Sequence, residues 1–190
     1  MMIRVFLFSL LGLLSMGPAA ALTYTGKVTR VIDGDTVSVQ SERGGRAQRL
    51  RLQGLDAPES CQSGGAESTQ ALVRMVLGQR VQVDVEQTDV YGRGLAHLSL
   101  QGEDVGARLV REGQAWSYRW KANPGPYLAE ERQARSARRG LFAQARPELP
   151  RHFRKRHGPC PRSFYAKSPR SSGLLVQSKS VLRRLSKMVY

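Results

Sequence analysis

Cysteine, histidine and, past one point in the chain, acid are what this sequence has least of. Two cysteines among 190 residues are too few for a multi-bridge framework or a four-cysteine zinc site. The three histidines, His97, His152 and His157, stand at spacings that match no zinc site, which leaves ordinary core or solvated roles. Neither a Ser/His/Asp set nor a Cys/His pair is suggested. The longest apolar run, Val5 to Met16, is well short of the roughly 20 residues that span a bilayer. Every acid lies at or before Glu148.

What the chain has in excess is positive charge. It carries 30 Lys and Arg against 15 Asp and Glu, a net +15. Residues 151–190 hold 11 of the basic residues and no acid, so residues 1–150 carry only +4. Such a balance points to polyanionic partners, nucleic acid or an anionic membrane surface. With 41% hydrophobic residues, the chain is not wholly disordered, and its length suits one domain with extensions.

Residues 1–21 read as a secretory signal. Arg4 precedes the apolar run, and Ala19-Ala20-Ala21 supplies the small residues of a cleavage site. A buried core helix is the plain alternative, but the run lacks a polar face. Export, to the periplasm or the medium, would expose Cys61 and Cys160 to an oxidising compartment where they can pair. Two free buried thiols are the other possibility.

From Tyr24 onward the pattern is β. Tyr24 to Ile32 is rich in Val and Thr, Asp33-Gly34 signals a tight turn, and Val37 and Val39 alternate. Gln48 to Gly54 alternates Arg49, Arg51 and Gln53 with Leu50 and Leu52, a half-buried strand with a basic face. Asp56 to Gly65 is a loop, and Ala66 to Leu77 has helical spacing that Gly78 stops. Val81 to Val85 and Leu95 to Leu100 read as strands. Asp104 is placed to cap a helix to Glu112, and Pro126 opens another from about Tyr127 to Arg139. The reading is α+β, mainly β: a five-stranded barrel of the oligonucleotide-binding (OB) kind with about three helices. The expected layout is a signal at 1–21, the barrel domain at 22–146, a basic extension at 147–162 tethered through Cys160, and a basic, disordered tail at 163–190.

Three clusters carry chemical potential. Asp33-Gly34-Asp35-Thr36 sets two carboxylates at a strand turn. Arg51 through Glu59 follows a strand-borne arginine with Asp56 and Glu59 in a loop stiffened by Pro58. Asp89-Val90-Tyr91-Gly92-Arg93-Gly94 holds an arginine between glycines beside a tyrosine. Each alone is compatible with a plain hairpin, loop or glycine-rich turn. Together they offer what phosphodiester cleavage requires. Carboxylate and carbonyl oxygens suit a hard divalent cation, guanidiniums bind phosphate oxygens, and a remaining carboxylate can take a proton from water.

These three runs, in this order and at this spacing, resemble the signature segments of the staphylococcal nuclease (thermonuclease) family. Leu109 to Gly113 and the helix before Gly140-Leu141-Phe142 are similar too, and the resemblance spans about Thr23 to Ala145. It implies an OB-fold barrel and a Ca²⁺-dependent nuclease that cuts DNA and RNA to 3′-phosphorylated products. By that resemblance Asp35, Asp56 and the main-chain carbonyl of Ala57 would bind calcium. Glu59 would act as general base, and Arg51 and Arg93 would stabilise the phosphate. Tyr91, Tyr118 and Trp120 would line the nucleotide pocket. The chain departs from the family's founding member at Ala57, a threonine there, and at Val90, a lysine there. The segment from Gly113 to Lys121 is one residue shorter, and the loop Ser60 to Gly65 is shorter and carries Cys61.

The expectation is an exported, monomeric nuclease with nucleic acid as its partner, no stable protein partner and no membrane span once the signal is removed. The rivals are an inactive OB module that only binds nucleic acid and a cationic surface-binding protein that works through its tail.

Overall fold

The computed structural model describes residues 22–119 and 121–161. The expectations for residues 1–21, for 163–190 and for Trp120 lie outside the described residues. Alternating Val and Leu build a meander of three strands, β1 (Leu22–Asp33), β2 (Thr36–Ser41) and β3 (Gln48–Leu52). Two more long strands, β5 (Arg80–Thr88) and β6 (Gly94–Leu100), follow a two-residue strand β4 (Leu55–Asp56) and helix α1 (Gly65–Val76). The order β3-β2-β1-β5-β6, with β3 also paired in parallel to β6, closes a five-stranded barrel, the expected fold. Its interior is Val28, Val37, Val39, Leu50, Leu52, Val81, Val83, Ala96 and Leu98, all 2% exposed or less. Each such burial contributes on the order of 1.5–3 kcal/mol for the larger side chains.

The remaining elements are β7 (Glu103–Asp104), α2 (Val105–Arg111), β8 (Trp116–Ser117), α3 (Leu128–Ser136), a 3₁₀ turn (Gly140–Ala143) and α4 (Pro150–His157). Asp104 caps α2, its carboxylate accepting from the N–H groups of Gly106 and Ala107 at 2.7 and 3.0 Å. A second apolar cluster of Trp116, Ala134, Leu141 and Phe142 seats α3 and the 3₁₀ turn beside the barrel.

Two features differ from the sequence expectation. The strand expected from Gln48 to Gly54 stops at Leu52, because Gly54 takes a positive φ of 78°. The chain therefore leaves the barrel, and β4 pairs with β8 instead. Among the described residues there are also four α-helices, where about three were expected. The fourth, α4, lies in the stretch expected to be a basic extension; Pro150 at its first turn is a conventional start signal.

Candidate active site

The two-residue turn between β1 and β2 carries Asp35. A side chain at Gly34 would lie 2.2 Å from the Ser68 hydroxyl and 2.8 Å from the Ala57 methyl. Glycine therefore lets this turn press against α1 and the β4 segment, which delivers Asp35 beside Asp56. Arg51 faces the same place, since its backbone pairs opposite Thr36 in the β2–β3 ladder.

The two aspartates are held by one guanidinium. Arg51 donates from Nη1 to Asp35 Oδ1 at 2.7 Å and from Nη2 to Asp56 Oδ1 at 3.1 Å. Asp35 also accepts from the Thr36 hydroxyl at 2.9 Å and from the Ala57 N–H at 3.3 Å. Both carboxylates are almost fully buried, at 4% and 5% exposure. Burial raises the Asp56 pKa above the ordinary carboxylate value, against the opposing pull of Arg154 and Arg51. Asp33, which lines the same cleft, is pushed up to about 7 by burial and by the neighbouring charge of Asp35. Arg51 goes further into its charged range, because Asp35 and Asp56 outweigh the cost of its burial.

Glu59 sits in the loop after β4. Its backbone N–H donates to Gln62 Oε1 at 3.1 Å, and its side chain meets a group from far along the chain. Arg154, on α4, donates from Nη1 to Glu59 Oε1 at 2.6 Å and to Asp56 Oδ1 at 3.3 Å, and from Nη2 to Asp56 Oδ2 at 3.3 Å. No sequence pattern singles out Arg154 within its basic run. The one pointer is indirect: a Cys61–Cys160 pairing brings that run to the acidic loop. The bridge is present in the structure.

Arg93 occupies the same cleft but keeps its own counter-ion. Asp89 accepts from the Arg93 Nε at 2.8 Å and Nη2 at 2.7 Å, and its other oxygen takes the N–H groups of Tyr91 and Arg93. The Arg93 guanidinium lies 5.5 Å from the Tyr91 ring centroid, and Tyr91 is 80% exposed. Tyr118 also lines the cleft, and its N–H donates to Gly54 O at 2.8 Å. The cleft encloses about 770 Å³ and is lined by Asp35, Arg51, Ala57, Glu59, Tyr91, Arg93, Tyr118 and Arg154 among others. The structure thus joins Asp35, Arg51 and Asp56 directly and Glu59 to them through Arg154, with Arg93, Tyr91 and Tyr118 lining the same cleft.

A hard divalent cation fits this donor set. Asp35 and Asp56 present buried anionic oxygens bonded to the same Arg51 guanidinium, and burial there favours a counter-charge. Among the described residues no group of three or more His, Cys, Asp or Glu side chains is gathered to hold an ion. An ion would therefore rely on the two aspartates together with main-chain oxygen and water.

Anionic oxygens fit for a cation, next to guanidiniums fit for phosphate, at one mouth of a closed OB barrel, define the nuclease class. Sequence comparison agrees. The family model described as staphylococcal nuclease homologue matches residues 49–144. An uncharacterized endonuclease of Escherichia coli O157:H7 is 38% identical over 141 residues, 73% of this chain and 90% of that protein. The micrococcal nuclease of Shigella flexneri is 35% identical over 143 residues, covering 70% and 81% of the two chains. A probable staphylococcal-like nuclease of Oryza sativa subsp. japonica is 41% identical over 113 residues, covering 58% of this chain and 34% of that one. The chain belongs to the staphylococcal nuclease family.

Proposed function

We propose that this nuclease is an exported, calcium-dependent endonuclease that hydrolyses DNA and RNA and leaves 3′-phosphorylated ends. The observation that carries the reading is the joining of Asp35, Asp56 and Glu59 through Arg51 and Arg154 in one cleft that also contains Arg93. Asp35, Asp56 and the Ala57 carbonyl would hold the calcium ion, which when bound offsets phosphate charge and makes a coordinated water more acidic. Glu59 takes the proton of the attacking water. Arg51 donates to the equatorial phosphate oxygens, where negative charge grows in the transition state. Arg93 supports the phosphate on the side of the departing 5′ oxygen, so the phosphate stays on the 3′ end. Tyr91 and Tyr118 offer ring faces for the flanking nucleotide, and Trp120 is assigned to the nucleotide pocket on the resemblance alone.

Export is supported by the Cys61–Cys160 bridge, which belongs to oxidising compartments, and by the pattern of residues 1–21. Among the described residues no helix is long and apolar enough to cross a membrane. In this layout residues 22–146 form the catalytic barrel domain and 147–162 an extension.

The test is the purified protein on DNA and RNA with calcium or with chelator, wild type beside Glu59→Gln, with end-group analysis of the products. Chelator abolishes cleavage, and Glu59→Gln lowers kcat by about 10³-fold. Binding without cleavage by the wild type, or 5′-phosphate products, would overturn the reading.

A further inference from the structure

The residues matched by the family model end at 144, yet the structure seats a later segment in the cleft. The attachment is built at both ends of α4. Ahead of the helix, Gln62 Nε2 donates to the Glu148 carbonyl at 2.6 Å. Behind it, Cys160 is bonded to Cys61, and the Cys61 N–H donates to Cys160 Sγ at 3.0 Å. Both anchors lie in the loop that carries Glu59, whose own N–H donates to the Gln62 side chain. Between the anchors, Arg154 is the α4 side chain that contacts Asp56 and Glu59. Its outward neighbours Arg151, Lys155 and Arg156 are exposed. Arg151 lines a small recess with Asp56 and Tyr118, and Tyr118 also lines the cleft.

Charge gives this strap a purpose. Asp35, Asp56 and Glu59 bring three negative charges to a place that must admit a phosphodiester anion, and Arg51 offsets one of them. Arg154 offsets a second, and its guanidinium is the kind of fork that takes phosphate oxygens two at a time. Its side chain is 39% exposed, so an incoming strand can reach it from solvent.

We propose that Arg154 is a substrate-positioning residue, a further guanidinium of the cleft that turns from Glu59 and Asp56 to a backbone phosphate of the bound strand. The Cys61–Cys160 bridge fixes its reach, and turning to phosphate leaves Glu59 clear to meet water. The proposal rests on the nuclease reading of the same cleft.

The test compares wild type, Arg154→Ala, Arg154→Gln, Arg154→Lys and the Cys61→Ser/Cys160→Ser double variant, each first checked by circular dichroism for an intact melt. One arm measures steady-state cleavage of single-stranded DNA in calcium. The other measures binding of a fluorescein-labelled oligonucleotide in chelator over a salt series. Arg154→Ala and Arg154→Gln raise KM and weaken binding by about tenfold, with a much smaller change in kcat. The log–log salt slope becomes shallower by about 0.7, one phosphate contact on a single strand. Arg154→Lys keeps the slope, and the double variant moves in the same direction as Arg154→Ala. Unchanged KM, affinity and slope in the two neutral variants would overturn the proposal. So would tighter binding or faster turnover, which would make Arg154 only a cover over the carboxylates. A wild type that binds but does not cut defeats the nuclease reading, while the binding arm still judges Arg154.

Discussion

At the scale of single residues, the site depends on one cation shared by two buried anions. Removing Arg51 takes from buried Asp35 its guanidinium partner and leaves Asp56 with Arg154 alone. Arg51→Ala should therefore destabilise the fold by about 3 kcal/mol, read from urea unfolding, and lower kcat/KM by about 10²–10³-fold. Near-wild-type values of both would remove Arg51 from the assignment. Glu131 has a comparable role away from the chemistry. It is 1% exposed and accepts from the Ser117 N–H at 3.0 Å, Arg119 at 2.6 Å and Arg135 at 2.7 Å. Glu131→Ala strands those donors and should cost about 3 kcal/mol. Because Ser117 precedes Tyr118 on the cleft wall, KM should rise as well. The sequence shows Asp35, Arg51, Asp56, Glu59 and Arg93 through their local setting: turn, strand face, stiffened loop and glycine bracket. Arg154 has no such setting, since Glu59 lies 95 residues away, and for Glu131 only the i,i+4 pair with Arg135 is local, whereas the Ser117 N–H is 14 residues distant.

Elements were legible where one face is apolar. The five barrel strands alternate cleanly because each has a core side, and α2 carries a readable cap in Asp104. Replacing Asp104 by Ala removes the cap and the acceptor for the Tyr127 hydroxyl at 3.0 Å, with an expected loss of about 1 kcal/mol or more by thermal unfolding. The helix α4 was illegible for the converse reason. Six of its eight residues are Arg, Lys or His, and it is held by a bridge, a carbonyl contact and ion pairs rather than by an apolar stripe. The crossing of α2 and α3 is also set by backbone. Gly113 has φ 73°, and a methyl there would lie 2.2 Å from the Arg139 carbonyl. Gly113→Ala should cost about 2 kcal/mol or more, whereas Gly78→Ala, with nothing within 4 Å of its Cβ position, should show the positive-φ strain alone and a smaller drop in melting temperature.

For the whole molecule, the Cys61–Cys160 bridge closes a loop across 99 residues of separation. In the chain-entropy model that contributes up to ~4.7 kcal/mol. Unfolding with and without reductant measures it, and a difference below about 1 kcal/mol would show that the helix docks without the bond. The bridge also divides the +15 of the chain by function. The basic residues of α4 are fastened against the acidic end of the barrel, where Arg154 meets two of its carboxylates. A positive charge that composition alone assigns to an extension is in part a component of the cleft.

The sequence by itself determined the barrel and the family, and it pointed to five charged residues that gather around one cleft. Those depend on short-range pattern: alternation, turn signals, and motifs whose spacing places each group at a strand end. Only the tertiary structure decided that Arg51 is shared between Asp35 and Asp56 and that Arg154 reaches Glu59. Those pairings join residues brought close by barrel closure and by a disulfide. Contacts made through space, between segments with no common period, leave no local trace in the order of residues.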